Sequence, residues 1–127
     1  MISLIIFADK LKWGGNITSV NGTITSPGYP INYPNNLNCS WIIELANAEI
    51  ISMNFLEFQT EPYWDYLWIY DGISPESSHS SYTGYPSLPL KIVSSGSMVM
   101  IQFTTDGSGT AAGFSLTYEG LQEVEGK

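Results

Sequence analysis

Apolar and polar residues alternate with a period of two in six stretches of strand length, at 22–26, 40–45, 49–58, 65–70, 97–105 and 113–118. In the third stretch, Ile51, Met53 and Phe55 alternate with Ser52 and Asn54. This alternation predicts half-buried β-strands, and no segment carries the i, i+3, i+4, i+7 apolar spacing of an amphipathic helix. Six or more short strands in one small domain predict an all-β fold, a β-sandwich of two antiparallel sheets.

Glycine and proline separate the predicted strands. Pro27-Gly28 and Asp71-Gly72 predict turns, and the Ser-, Tyr- and Pro-rich residues 75–89 predict a long loop region. The 127 residues are enough for one domain and too few for two. We interpret residues 13–119 as that domain, 1–12 as an N-terminal arm or leader remnant, and 120–127 as a tail or linker.

The chain is acidic, with 12 Asp and Glu residues against 4 Lys and Arg residues and a formal net charge of −8. Such a surface repels phosphate backbones, and no basic patch with interleaved aromatic residues is present, so nucleic acid is not expected as a partner. No apolar run is long enough to span a bilayer, so we expect no membrane insertion. The acidic balance fits cation binding or a basic protein partner, as well as simple solubility.

Residues that would support catalysis or zinc binding are scarce. Cys39 is the only cysteine and His79 the only histidine, which argues against a zinc site and excludes an internal disulfide. No nucleophile motif surrounds any serine, so we predict no catalytic residue and no enzyme activity. Three glycosylation sequons, at Asn16, Asn21 and Asn38, favour a secreted protein.

Five sequence fragments, in the same order as in the family, resemble the CUB domain family. They are GTITSPGYP (22–30) with NYPN (32–35), NCSWII (38–43), FLE (55–57) with WDYLWIYDG (64–72), MIQFTTD (100–106) and GFSLTY (113–118). The resemblance implies a CUB/spermadhesin-like jelly roll, part of a larger secreted, extracellular protein. It also implies a non-catalytic module for calcium-dependent protein binding in adhesion or recognition.

The same resemblance implies a calcium site, which requires six to eight oxygen ligands. The implied ligands are the carboxylates of Glu57, Asp65 and Asp106 and the backbone carbonyls of Ser108 and Gly109. By resemblance, the Tyr33 hydroxyl would steady Glu57. A protein partner would then present a basic side chain, Lys or Arg, to this acidic site.

Family members typically carry two disulfides, which this chain lacks. The resemblance places one pair near Trp13 and at Cys39 and the other near Tyr63 and Thr83, where only Cys39 is a cysteine. Each missing disulfide would contribute about 2–4 kcal/mol, so the fold must be held by core burial, with bound metal as an additional contribution. We interpret Cys39 as a small buried apolar residue, with an intermolecular disulfide as the alternative.

A second hypothesis is a calcium-bearing carbohydrate-binding module. Trp64, Tyr66 and Trp68 lie in and just before one predicted strand and would form an aromatic platform for a glycan. The other interpretation is that alternate members of this series pack against the core or against crossing loops.

Overall fold

A computed structural model describes residues 14–122, which form nine β-strands. The strands are β1 (Gly14–Ile17), β2 (Asn21–Thr25), β3 (Asn38–Glu44), β4 (Ile50–Gln59), β5 (Tyr66–Tyr70), β6 (His79–Tyr82), β7 (Leu90–Val93), β8 (Met98–Thr104) and β9 (Gly113–Leu121). Over these residues the chain forms no helix with the length and apolar character that crossing a bilayer would require.

The strands form two sheets, one with the order β1-β3-β8-β5-β6 and the other with the order β2-β9-β4-β7. All the strand pairs are antiparallel except β1 and β3, which run parallel. The six strands predicted from alternation are all present, within one or a few residues of the predicted limits. The predicted two-sheet, all-β sandwich is therefore confirmed.

Three further strands, β1, β6 and β7, were not predicted. Each lies at the edge of its sheet, and none of their residues is fully buried. Strand β6 lies inside the predicted loop region 75–89. It was missed because its sequence, HSSY, has no apolar alternation. An edge strand can form from backbone hydrogen bonds to one neighbour without a strong side-chain pattern.

The last strand is longer than the sequence predicted. Gly120 and Leu121, assigned above to a tail, belong to β9 and pair with Ile51 and Ile50. The predicted arm, residues 1–12, and the rest of the predicted tail beyond residue 122 lie outside the described residues.

The core lies between the two sheets, and Phe114 is at its centre. Its ring is 5.1 Å from that of Phe103, 5.9 Å from Trp41, 6.3 Å from Phe55 and 6.4 Å from Phe58 (centroid distances). Cys39 is also fully buried and pairs across the sheet with Phe103. Its burial agrees with its interpretation as a packed apolar residue.

One end of the sandwich gathers the segments that carry acidic residues. Strands β4 and β8 end there, while β5 and β9 begin there, because Tyr66 is opposite Thr104 and Gly113 is opposite Gln59. The segment between β2 and β3 closes this end by backbone hydrogen bonds to the segment after β8, including Asn36 N–H to Asp106 O at 2.8 Å. The fold therefore brings the loops 60–65 and 105–112 together.

Candidate metal centre

Three carboxylates meet at this end of the sandwich: those of Glu61, Asp65 and Asp106. Each offers an oxygen, and these atoms all lie within 4.8 Å of one another. The only Lys or Arg between residues 14 and 122 is Lys91, on β7 at the edge of the four-stranded sheet. Within this part of the chain, no lysine or arginine side chain next to the cluster balances its negative charge.

Asp65, which directly precedes β5, is held by hydrogen bonds to both its side chain and its backbone. Its side chain is 0% exposed, and both carboxylate oxygens accept a hydrogen bond. The Tyr33 hydroxyl donates to Oδ2 at 2.6 Å, and the Asp106 backbone N–H donates to Oδ1 at 3.0 Å. The Thr83 hydroxyl donates to the Asp65 backbone carbonyl at 2.8 Å. Both the side chain and the backbone of Asp65 are thus held in one orientation.

Tyr33 links two of the three acidic residues. While donating to Asp65, its hydroxyl accepts a hydrogen bond from the Glu61 backbone N–H at 3.0 Å. Its ring packs edge-on against Phe103 at 5.0 Å. Burial, followed by the hydrogen bond to Asp65, raises the pKa of Tyr33, so the hydroxyl remains a proton donor at neutral pH. Tyr33 therefore supports Asp65 and the Glu61 backbone, and not Glu57 as the sequence interpretation held.

The cluster has the properties of a site for a hard cation. Desolvation, followed by the charges of Asp106 and Asp65, raises the pKa of Glu61. Burial also raises the pKa of Asp65, although hydrogen bonds from Tyr33 and Asp106 oppose this effect. The Glu61 Oε1 atom is buried and has no hydrogen-bond partner. An unpaired buried carboxylate oxygen beside two other carboxylates suits Ca²⁺, which prefers oxygen ligands.

Glu57 does not belong to this cluster. A β-bulge at Leu56 shifts the register of β4, so Leu56 and Glu57 are both exposed and Phe58 returns to the core. Strand β4 continues to Gln59, and Glu61 follows in the loop. Glu57 instead interacts with Tyr29, whose pKa is raised by desolvation and then by the charge of Glu57. In the sequence, Glu61 could have been found as the acid between the end of this strand and Asp65, four residues before it.

The loop after β8 folds back onto the carboxylates. The Ser108 N–H donates to Asp106 Oδ1 at 3.3 Å. Gly109 has a φ of +87°, and a Cβ placed there would lie 2.0 Å from Glu61 Oε2, so only glycine allows this approach. That the carbonyls of Ser108 and Gly109 coordinate a metal stays a prediction.

The three aromatic residues of the predicted glycan platform lie in two different elements. Trp64 lies in the turn before β5, whereas Tyr66 and Trp68 lie on the outer face of the five-stranded sheet. There the Trp68 ring is 5.5 Å from Tyr66 and 5.8 Å from His79. Tyr66 and Trp68 thus belong to an aromatic sheet face, whereas Trp64 belongs to the turn that connects Glu61 to Asp65.

The three sequons lie in different environments. Asn16 on β1 and Asn21 on β2 are exposed. Asn38, the first residue of β3, is half-buried, and its Oδ1 accepts a hydrogen bond from Gln102 at 3.3 Å. Asn16 and Asn21 are the more accessible to a glycan, and glycosylation at any of the three stays a prediction.

The raised carboxyl pKa values lead to a prediction for the metal-free domain. When a carboxyl pKa is higher in the folded state, its stabilising contribution is complete below the unfolded value, about 4, and is lost as pH rises through the folded value. With a chelator present, the melting temperature should therefore rise as pH is lowered from neutral towards the unfolded carboxyl value. The difference in melting temperature between the calcium-bound and the chelated sample should become smaller as pH falls, because protons compete with the ion for the carboxylates. A calcium advantage that grew as pH fell would contradict this assignment.

Comparisons with known proteins agree with the fold. A family model described as "CUB domain" matches residues 13–118. Human cubilin is 37% identical over 118 residues, which are 90% of this chain and 3% of cubilin, so the chain spans a very small part of that relative. The solved structure "Crystal structure of the MASP-1 CUB2 domain bound to Ca2+" matches with a TM-score of 0.72 and 30% identity, covering 83% of this chain and 96% of that one. The full extracellular region of zebrafish Gpr126/Adgrg6 matches with a TM-score of 0.76 and 26% identity, covering 85% of this chain and 14% of that one.

Proposed function

Because this chain belongs to the CUB domain family, we propose that it is a non-catalytic module that binds a protein partner in a calcium-dependent manner. The observation that carries the proposal is the cluster of Glu61, Asp65 and Asp106, which has a buried oxygen without a hydrogen-bond partner. The calcium-bound structure of the MASP-1 CUB2 domain supports calcium as the ion.

In this proposal the ion is held by one rigid ligand and two more adaptable ones. Asp65 is immobilised by Tyr33 and by the Asp106 backbone, while Glu61 and Asp106 lie on loops that can adjust to the ion. Three ionised carboxylates and one Ca²⁺ leave one negative charge uncompensated. That charge would attract a lysine or arginine side chain of a partner, and a contact of this kind increases both association rate and specificity.

We place this binding activity outside the cell. Extracellular calcium-binding modules have dissociation constants of about 10⁻⁴–10⁻³ M, which matches extracellular calcium concentrations. The similarity to the extracellular region of Gpr126/Adgrg6 and the exposed sequons at Asn16 and Asn21 support this location.

A pair of isosteric variants tests the calcium site. At a calcium concentration about ten times the dissociation constant, binding should add about 1.4 kcal/mol to the free energy of unfolding, or a few degrees in melting temperature. Glu61→Gln should lose most of this gain because it removes one of the three carboxylates. Glu57→Gln, a matched control, should retain it because Glu57 lies outside the cluster. Calorimetric titration and thermal melts with calcium and with a chelator measure both effects.

The comparison between the two variants is decisive. If Glu57→Gln abolished the calcium response and Glu61→Gln preserved it, the ligand assignment from the structure would be wrong. If the unsubstituted chain showed no response to calcium, the calcium-dependent part of the proposal would be withdrawn.

A second candidate function is glycan binding on the outer face of the five-stranded sheet. The observation that favours it is the continuous set of rings of Tyr66, Trp68, His79 and Tyr70, with centroid distances of 5.5, 5.8 and 4.9 Å between successive members. Sugar rings commonly stack on such aromatic surfaces. A glycan array with and without calcium tests this function, and binding that is lost in Trp68→Ala would support it.

A further inference from the structure

Exposed aromatic residues lie on the segments next to the acidic cluster. Among the Phe, Trp and Tyr residues of the described chain, the most exposed are Tyr63 (77%), Trp64 (66%) and Tyr85 (66%). Tyr63 and Trp64 lie between Glu61 and Asp65 in the sequence. Tyr85 follows Gly84, and a Cβ at Gly84 would be 3.5 Å from Pro62 Cβ. The backbone directly before Tyr85 therefore lies next to the same turn. We call Tyr63, Trp64 and Tyr85 the aromatic rim.

The turn that displays Tyr63 and Trp64 is held by the groups that hold the cluster. The Trp64 N–H bonds to the Glu61 carbonyl at 3.4 Å, and the Tyr63 N–H donates to the Thr83 hydroxyl at 2.9 Å. That same hydroxyl donates to the Asp65 carbonyl. Tyr63 and Thr83, near which the resemblance placed the second disulfide, are therefore joined by a hydrogen bond. The Thr83 hydroxyl thus ties the turn that carries Tyr63 and Trp64 to the backbone of Asp65.

The stability of the fold does not explain why residue 63 is a tyrosine. Its φ is +70°, in the left-handed region that favours glycine and disfavours a bulky residue. A tyrosine that is 77% exposed buries little surface in return for this strain. Non-glycine residues in unfavourable backbone conformations concentrate at binding sites. Both the strain and the exposure of Tyr63 point to a contact with another molecule.

We propose that the aromatic rim is the apolar half of a two-part binding surface, whose charged half is the metal-bound carboxylate cluster. This inference rests on the proposed function and specifies the partner. The partner would be a protein segment that presents a lysine or arginine flanked by apolar side chains. The uncompensated carboxylate charge selects the basic residue, while Tyr63 and Trp64 bury its neighbours and its aliphatic stem. Tyr and Trp are the residues that most often carry the binding energy at protein interfaces.

Three peptides separate the two halves of the surface. They are acetylated and amidated pentapeptides with the central sequences Leu-Lys-Phe, Ser-Lys-Ser and Leu-Gln-Phe, each flanked by serine. Binding to the full ¹⁵N-labelled chain would be followed by NMR titration at saturating calcium. We expect the Leu-Lys-Phe peptide to bind about fivefold or more tightly than the Ser-Lys-Ser peptide, and resonances of the aromatic rim to shift.

Variants of the aromatic rim complete the test. Tyr63→Gly suits the backbone conformation, so it should keep or raise the melting temperature while reducing the advantage of the Leu-Lys-Phe peptide. Trp64→Ala should also reduce that advantage, and neither variant should change calcium affinity. Ile73→Ala is the control, because Ile73 is 43% exposed and follows β5 at the opposite end of the sandwich.

The outcomes distinguish this inference from the proposed function. Equal affinity for the Leu-Lys-Phe and Ser-Lys-Ser peptides, or an unchanged difference in both rim variants, would overturn the role of the aromatic rim alone. Equal affinity for the Leu-Lys-Phe and Leu-Gln-Phe peptides would instead show that the lysine contributes nothing to binding. That result would contradict the basic partner residue of the proposed function.

Discussion

Replacing Phe114 by alanine is expected to lower the free energy of unfolding by about 3–5 kcal/mol. The Phe114 side chain is 0% exposed and lies on β9, between the rings of Phe103, Trp41 and Phe58. Its removal would leave a cavity bordered by both sheets. Small domains are stable by only about 5–15 kcal/mol, and with one cysteine this chain has no internal disulfide to compensate. The variant should therefore be at the limit of stable folding.

Urea denaturation followed by tryptophan fluorescence measures this loss. Val93→Ala is the control, because Val93 is 50% exposed on the edge strand β7, and its truncation should change the free energy of unfolding by at most about 0.5 kcal/mol. A loss below about 1 kcal/mol for Phe114→Ala would show that the aromatic cluster is not what holds the two sheets together.

Replacing Asp65 by alanine should abolish calcium binding and also destabilise the metal-free domain. The variant leaves the Tyr33 hydroxyl and the Asp106 backbone N–H without their acceptor. A buried donor left unpaired costs about 1–3 kcal/mol. Removing a buried carboxylate whose pKa is raised offsets part of this loss, so we expect a net destabilisation of about 1–3 kcal/mol in chelator. With calcium, the difference from the unsubstituted chain should be larger, since only the latter gains stability from the ion.

Asp65→Asn separates the structural role of this residue from its metal-binding role. The amide keeps an oxygen that can accept from Asp106 and has almost the same volume as the acid, so the metal-free variant should be more stable than Asp65→Ala. It lacks the negative charge, so its melting temperature should not respond to calcium. Thermal melts of both variants, with calcium and with chelator, measure these effects. A normal calcium response in Asp65→Asn would show that Asp65 is not a ligand.

Most of the strands were predictable because apolar and polar residues alternate along them. Val99, Ile101 and Phe103 on β8 alternate with half-buried polar or flexible residues and are buried as predicted. The edge strands β1, β6 and β7 escaped prediction because a strand with one paired neighbour and exposed side chains needs no apolar periodicity. Gly120 and Leu121 were assigned to a tail because the apolar alternation ends at Tyr118, although both residues pair with β4.

The candidate site was only partly predictable. The resemblance named Asp65 and Asp106 together, and the structure brings their carboxylates together because β5, which follows Asp65, pairs with β8, which precedes Asp106. Glu57 was the wrong third member because the bulge at Leu56 turns it outwards. A bulge changes the direction of every later side chain in its strand, and nothing in the local sequence marks this one.

The sequence by itself determined the class of fold, the acidic character of the molecule and the resemblance to the CUB domain family, because these depend on residue type, periodicity and order along the chain. Only the tertiary structure decided which acids meet and which hydroxyl supports them. Tyr33 reaches Asp65 across 32 positions in the chain, and Asp65 accepts a bond from Asp106 across 41. Such contacts are set by how loops from several strands converge on one end of a sandwich, so they depend on strand register rather than on local sequence.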